Sequence, residues 1–222
     1  EEFLDNTDPT VFTKVPSNLV LHLKCNDDPA DDVKDSSEYL NDGSTTPDTC
    51  PTLVNGNLDM AYKFDGIDDS LEISHSDSLS AESFTITAWI YIDQPSTSSW
   101  PRIFDKGNGS NGFSVFLDQS SNSIKYVIYG GMVAESNSEI IKTNKWQHIA
   151  VTYDKDAQIL TFYLDGEIVG STAYSNPPID SDSPITIAKR GYDNSRNFKG
   201  KLDDIRFYNK PLSTDDIIAI FD

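Results

Sequence analysis

Beyond its first eighteen residues the chain is written in a two-residue rhythm. From Leu19 the stretch LVLHLKC places Leu19, Leu21, Leu23 and Cys25 on one face and Val20, His22 and Lys24 on the other. That is the period of a strand with one buried side, and His22 reads there as an ordinary sheet residue. AYKF, SLEI, SFTITAWIYI, RIFDK, GFSVFL and IKYVIYG follow, separated by Gly, Asn, Asp and Ser turns. WQHIAVTYD, QILTFYLDGEIVGSTAY, SPITIAK and NFKGKLDDIRFYN continue the series. Many short strands and almost no helix predict an all-β fold of two packed sheets. Within QILTFYLDGEIVGS, Asp165-Gly166 supplies the residues of a type I′ turn joining two alternating strands. One short helix is predicted near the C-terminal end. Pro211 breaks the preceding strand, Ser213 can cap, and Asp216 stands three positions on, an acidic capping box ahead of IIAIF.

Residues 1–18, EEFLDNTDPTVFTKVPSN, are polar and broken by Pro9 and Pro16, and read as a linker or strap. Residues 19–222 show no internal boundary and no regular repeat, so one domain is the economical reading. The chain opens Glu1-Glu2-Phe3 without an initiator Met, as expected of a piece processed or excised from a longer protein. Between Asn26 and Asp59 lies a long connection rich in Asp, Asn, Ser, Gly and Pro. Loops of this length are uncommon unless something organises them, and a bound cation or a disulfide would serve. The only cysteines are Cys25 and Cys50. An even pair separated by a polar loop suggests a disulfide, with two reduced thiols as the alternative. Neither belongs to a CxxC motif and His is scarce, which argues against a zinc site or a redox dithiol.

Composition narrows the function classes. With 37% hydrophobic residues, 11 Phe, 10 Tyr and 3 Trp among 222 residues, the chain is an aromatic-rich folded protein and not an acidic disordered tail. Its formal charge of -19, from 36 acidic and 17 basic residues, would repel a phosphate backbone, so no nucleic-acid partner is expected. No apolar run approaches the roughly 20 residues that span a bilayer, so no direct membrane insertion is expected. The acids are scattered among Ser, Asn and Gly, which leaves room for a few oxygen-rich cation sites on a solvated surface.

Five segments in order carry a family resemblance: YKFDGIDDSLEI, SFTITAWIYI, WQHIAVTYD, FYLDGEIVG and FKGKLDDIRFYNKPLSTDDI. Together they resemble the laminin-G-like and pentraxin-like members of the concanavalin A-like jelly-roll family, over roughly residues 19 to 222. The resemblance implies a concanavalin A-like two-sheet antiparallel jelly-roll sandwich with one short C-terminal helix. It also implies an accessory module of secreted or cell-surface proteins, with a glycan or an extracellular protein as partner and other domains of a parent chain beside it. The fold alone does not choose among such partners.

Calcium is the cofactor that the resemblance implies. The family's turn after the first strand is matched by Cys25-Asn26-Asp27, its Asp-Ser-Ser loop by Asp35-Ser36-Ser37, and its late acidic strand by Leu202-Asp203-Asp204. Asn26, Asp35, Asp203 and Asp204 are therefore the expected ligands of one Ca2+, meeting where the first and last strands run side by side. Cys25 replaces the usual Phe, which gives a Cys25 to Cys50 disulfide a share in pinning the loop. Adjacent Asp203 and Asp204 face opposite sides of a regular strand, so both can turn inward only at a bulge. A ligand surface is expected from the loops Gly107–Gly112 and Lys189–Asn194. Trp100 and Tyr192 would stack on a sugar ring while Asn108, Asn111, Asp193 and Asn194 bond its hydroxyls. Trp89 and Trp146 are expected in the core, and Asn108-Gly109-Ser110 is a glycosylation sequon.

Catalysis is not expected. Retaining glycoside hydrolysis needs two facing carboxylates, and the chain has no alternating Glu-x-Asp-x-Glu run. It also lacks a GxSxG elbow, an HExxH helix, a phosphate loop and a dinucleotide fingerprint. The sequence reading is thus a noncatalytic binding module, with a structural or protein-adhesion module as the alternative.

Overall fold

The computed structural model describes residues 18–93, 98–131, 133–175 and 181–222. Residues 1–17 of the expected linker lie outside the described residues. Strands β1 (Leu19–Leu23), β2 (Gly43–Ser44), β3 (Thr52–Asn55), β4 (Met60–Asp65), β5 (Leu71–Ile73) and β6 (Phe84–Tyr91) come first. Then follow β7 (Arg102–Gly107), β8 (Gly112–Asp118), β9 (Ser123–Ile128), β10 (Val133–Glu135) and β11 (Trp146–Asp154). The series closes with β12 (Ile159–Leu164), β13 (Glu167–Ala173), β14 (Ile185–Ile187), β15 (Lys199–Tyr208) and helix α1 (Thr214–Phe221). They form two antiparallel sheets. An eight-stranded sheet runs β13-β12-β11-β6-β15-β4-β3 with β1 also on β15, and a seven-stranded sheet runs β10-β9-β8-β7-β14-β5-β2. Both pairings skip along the sequence, as a jelly roll requires.

The two sheets meet through alternate residues. Phe84, Ile86, Ala88 and Ile90 of β6 face Val115 and Leu117 of β8 and Ile124, Tyr126 and Ile128 of β9 in one buried cluster. At its centre Phe84 stacks on Phe113, with ring centroids 4.9 Å apart, and Phe207 tilts against Phe104 at 5.4 Å. Each such ring, removed from water, stabilises the fold by about 2–3 kcal/mol.

Turn chemistry behaves as the residues demand. Asp165 and Gly166 both have positive φ, 48° and 81°, and Leu164 pairs with Glu167 across them, the two-residue geometry of a type I′ hairpin. The long connection after Asn26 is less bare than its composition suggests: β2 and β3 lie within it, and Leu23 bridges Asp35 while Val33 bridges Gly43.

Strand β15 contains one extra residue. Asp203 pairs with Trp89, and the next partner pair is Arg206 with Thr87, so three steps on β15 oppose two on β6. Asp204 absorbs the difference with φ of 50°. This bulge lets Leu202, Ile205 and Phe207 all face the core.

The outer face of the eight-stranded sheet is covered by α1. Ser213 caps it in a full capping box with Asp216, and Ile217 and Ile220 bury themselves against Ala150, Tyr163, Tyr208 and Leu212. Trp89 lies here as well, outside the inter-sheet core, packed 5.3 Å from His148 and 5.5 Å from Phe221. Trp146 is half-buried and meets Tyr91 edge-on. None of the helices among the described residues is long and apolar enough to cross a membrane.

His148 is fully buried, and neither ring nitrogen has a hydrogen-bond partner among the described residues. Burial lowers its pKa from 6.5 to about 4. Between those values the unfolded chain binds a proton that the folded chain does not, so the stabilisation is complete above pH 6.5 and is lost as pH falls toward 4. Comparing urea unfolding at about pH 7 and about pH 4.5, wild type is expected to lose on the order of 2 kcal/mol more than His148→Phe. Equal losses in both proteins would show that another group carries the acid sensitivity.

Candidate functional site

Two recesses follow from this framework. The first is a notch at the bulge. The edge of β15 is shared, its first half pairing with β4 and its second half with β1. Where the two meet, His22, Lys24, Asn26, Leu58 and the Asp203–Arg206 stretch enclose a recess of about 200 Å³. Asp203 is fully buried; its Oδ2 accepts the Asn57 and Leu58 amides, both at 2.9 Å. Its Oδ1 accepts no hydrogen bond among the described residues. Burial pushes this carboxyl above the usual range, although the two amides oppose the shift. Asp204 turns the other way, 2.6 Å from His22 Nε2 and 2.8 Å from an Arg206 nitrogen. Burial alone would raise its pKa, but the His22 hydrogen bond and the Arg206 charge hold it low. The bulge thus splits the two adjacent acids between a backbone nest and the His22 and Arg206 side chains.

The structure brings three of the expected calcium ligands together and leaves the fourth apart. Asn26, Asp203 and Asp204 do meet in the notch, but Asp35 is not part of its lining. The Asp35 carboxylate is saturated by four donors, His22 N of β1 at 2.8 Å and, from its own loop, Ser37 N and Asn41 N at 2.8 Å and Ser37 Oγ at 2.6 Å. Asn26 Oδ1 accepts the Met60 amide at 3.2 Å. Asp35 and Asp204 are thus committed to protein partners, whereas Asp203 Oδ1 accepts no hydrogen bond among the described residues.

The structure does not join the two cysteines. Cys25 and Cys50 are free thiols, the second of the two arrangements left open by the sequence. Cys25 is buried with its Sγ turned back to the Leu23 carbonyl at 3.6 Å, and burial pushes its pKa well up. The carboxylates of Asp35 and Asp42 organise the loop instead; Asp42 accepts the Asp35 amide at 2.9 Å and Lys34 Nζ at 2.8 Å. A separate trio, Asp65, Asp68 and Asp69, has carboxylate oxygens within 4.8 Å of one another and could hold a metal ion. Burial, then the charges of Asp65 and Asp68, push Asp69 up to about 6.

The second recess lies on the outer face of the seven-stranded sheet. Ile103, Val115, Ile124, Tyr126 and Ala134 point inward, so their alternates point out. Phe116, Val127, Val133 and Trp100 give an open cleft its apolar surface, and Arg102, Lys125, Arg190 and Arg196 its polar surface, around about 310 Å³. Trp100 keeps 42% of its surface exposed. Its Nε1 donates to Asp118 at 3.2 Å, which fixes the ring, and the Arg196 guanidinium lies 4.5 Å from the ring centroid. Arg102 sits 4.1 Å over Phe116. Asp118 accepts Lys125 at 2.7 Å, and the Arg190 fork clasps Asp193.

Of the residues expected to hold a ligand, only Trp100 lines this cleft. The two expected loops do touch: a Cβ added at Gly109 would come within 3.2 Å of the Tyr192 ring, which stands edge-on to Tyr129 at 5.4 Å. Asn108 spends its Oδ1 on the Ser110 and Asn111 amides at 3.0 and 2.9 Å. Asn111 and Asn194 are exposed, and Asp193 is committed to Arg190 and Ser195. The cationic and aromatic strand residues were missed. Their signal was present in RIFDK, GFSVFL and IKYVIYG, where Arg102, Phe116 and Lys125 occupy the positions alternating with the core.

A family profile described as the concanavalin A-like lectin/glucanases superfamily matches residues 65–218, well over half of the chain. The chain belongs to this superfamily. Among curated relatives of this concanavalin A-like domain, mouse usherin is 24% identical over 150 residues, 64% of this chain and 3% of that protein. Mouse pentraxin-related protein PTX3 is 22% identical over 148 residues, 62% of this chain and 38% of that protein. The domain therefore spans only a small part of either relative.

Among solved structures, the binding domain of Paraclostridial Mosquitocidal Protein 1 superposes with a TM-score of 0.73 at 19% identity, covering 92% of this chain and 52% of that one. Domain 4 of AbnA, a GH43 extracellular arabinanase from Geobacillus stearothermophilus, solved with arabinotriose, gives 0.73 at 15% identity and covers 92% and 98%. At these identities the likeness establishes the concanavalin A-like fold alone.

The notch tests the structure directly. A Cβ on Gly56 would fall 2.4 Å from the Met60 carbonyl oxygen and 2.6 Å from Asp203 Oδ2. Gly56→Ala is expected to cost about 1–3 kcal/mol in urea unfolding. Gly131→Ala, whose Cβ would make its first contact at 3.4 Å, serves as the control and should change little.

Proposed function

We propose that this domain is a noncatalytic, extracellular saccharide-binding module of a larger secreted or cell-surface protein. One observation carries the reading: an exposed, hydrogen-bond-anchored Trp100 in an open cleft on the outer sheet face. Sugar rings stack on such a fixed aromatic face, and neighbouring donors select their hydroxyls. The cleft lining holds aromatic, aliphatic and cationic side chains, which supports binding without hydrolysis, because hydrolysis needs facing carboxylates. A further support is that the arabinanase domain of this shape was solved with arabinotriose, and that this domain covers 98% of it. A botulinum neurotoxin type C structure, described with cell entry dependent on two ganglioside molecules, matches with a TM-score of 0.69 at 18% identity, covering 93% of this chain and 51% of that one.

A structural calcium ion forms the second part of the reading, held at Asp65, Asp68 and Asp69. Three carboxylates this close repel one another, and a hard divalent cation that takes oxygen ligands relieves the repulsion. Calcium titrated calorimetrically into chelator-treated protein is expected to fill one site. The site should vanish in the Asp68→Asn, Asp69→Asn double variant and persist in Asp203→Asn. Loss in Asp203→Asn alone would return the ion to the notch.

A glycan array tests the cleft. Wild type is expected to give sugar-specific signals that fall at least about tenfold in Trp100→Ala, with an unchanged unfolding midpoint. An array on which well-folded wild type is silent would overturn the saccharide reading and leave protein adhesion as the function of the face.

A further inference from the structure

The cleft gathers most of the arginines of an acidic chain. The sequence carries 36 acidic against 17 basic residues, and its four arginines are Arg102, Arg190, Arg196 and Arg206. Three of these, with Lys125, line the cleft, and its lining includes no acid. The nearby carboxylates are each engaged: Asp118 with Lys125 at 2.7 Å, Glu135 with Lys125 at 3.3 Å, Asp193 with the Arg190 fork, and Asp105 with the Tyr129 hydroxyl and, at 3.6 Å, Arg102.

Arg196 differs from the others. It has no carboxylate partner among the described residues, and its guanidinium stacks 4.5 Å from the centroid of the half-exposed Trp100 ring. Stacking fixes the guanidinium plane and leaves its in-plane N–H groups free to fork onto a planar anion. Behind it, Arg102 is buried over Phe116, its Nε 3.6 Å from the Asp105 carboxylate and its Nη1 donating to the Trp100 carbonyl at 3.5 Å.

The geometry points to an acidic saccharide as the ligand: a sugar ring lies against the exposed surface of Trp100 while its carboxylate or sulfate meets Arg196, with Arg102 behind. This inference rests on the saccharide-binding reading and names its substrate class. The flat aromatic surface beside the cations favours a sugar over an acidic peptide, which offers charge without a stacking ring face.

Isothermal titration with defined probes tests it. Tetragalacturonate, its methyl-esterified form, a heparin tetrasaccharide and hexaglutamate are each titrated into wild type, Arg196→Gln, Arg196→Lys and Trp100→Ala. Wild type is expected to bind tetragalacturonate or the heparin fragment at least about tenfold more tightly than the ester, the tighter of the two identifying carboxylate or sulfate as the anion. Added NaCl should weaken that binding. Arg196→Gln should fall to the level of the ester with an unchanged unfolding midpoint, and Arg196→Lys, which keeps the charge but loses the fork, should lie between. Equal binding of acid and ester, both abolished in Trp100→Ala, would overturn the acidic-ligand inference and leave the saccharide reading standing. Hexaglutamate binding as tightly as the acidic sugars would also overturn it. If no probe binds and a neutral-glycan array is silent, the saccharide reading itself fails.

Discussion

Strand β15 must bring Leu202 to the core and, three residues later, Ile205 and then Phe207 to the same core. A regular strand cannot do this, because its side chains alternate strictly. The extra residue at Asp203–Asp204 solves the phase problem, and much else follows from it. The strand bends away from its neighbours, its free edge divides between β4 and β1, and a notch opens where they meet. Two adjacent carboxylates are left in the interior. One is held by the amides of Asn57 and Leu58, the other by His22 and Arg206. Removing one partner from such a buried pair costs about 3–5 kcal/mol, so the bulge ties β1, the Gly56 turn and β15 into one unit.

The same sandwich gives its two outer faces different fates. On the eight-stranded sheet, α1 and its capping box cover Trp89, His148, Ala150 and Tyr163, and the residues beneath pack as a second small core. On the seven-stranded sheet the outward positions of β7, β8 and β9 remain open, and they carry Arg102, Phe116 and Lys125. A covered face contributes stability and an open face meets ligands. The chemistry is therefore placed on rigid strands, with Trp100 and Arg196 brought in from flanking segments and Asp118 holding the indole in place.

Alternation and turn chemistry made the fold legible: the strands, the Asp165-Gly166 turn and the Ser213 cap are local patterns, and each has a short-range physical cause. The bulge was legible as a condition, since LDD places two acids together and only an extra residue lets both turn inward. Their partners were not legible, because His22 and Arg206 meet Asp204 only after β1 and β15 pair. Asp35 shows the opposite limit. Its residue type suited a cation, yet four hydrogen bonds, three from its own loop and one from β1, use its oxygens, a solution that composition does not reveal. The cleft was half legible. Trp100 stood out as a lone aromatic, whereas Arg102, Lys125 and Arg196 come from separate segments and became a set only through the order of the seven-stranded sheet.

An acidic ligand on a chain of charge -19 is a question of distance. At physiological ionic strength charges are screened beyond about 8 Å, so most of the surface acids act on a short oligosaccharide only weakly. Inside the cleft the contest is local, and there Arg196, with no carboxylate partner among the described residues, stands apart from the carboxylates already engaged by Lys125, Arg190, Tyr129 and Arg102. A nucleic acid is disfavoured by the same argument. Its charges extend far past a recess of about 310 Å³ and would lie against the acidic surface at contact distance, where screening gives no relief. On the acidic-saccharide proposal, the net charge and Arg196 act together as a filter that favours one compact anion over a long polyanion.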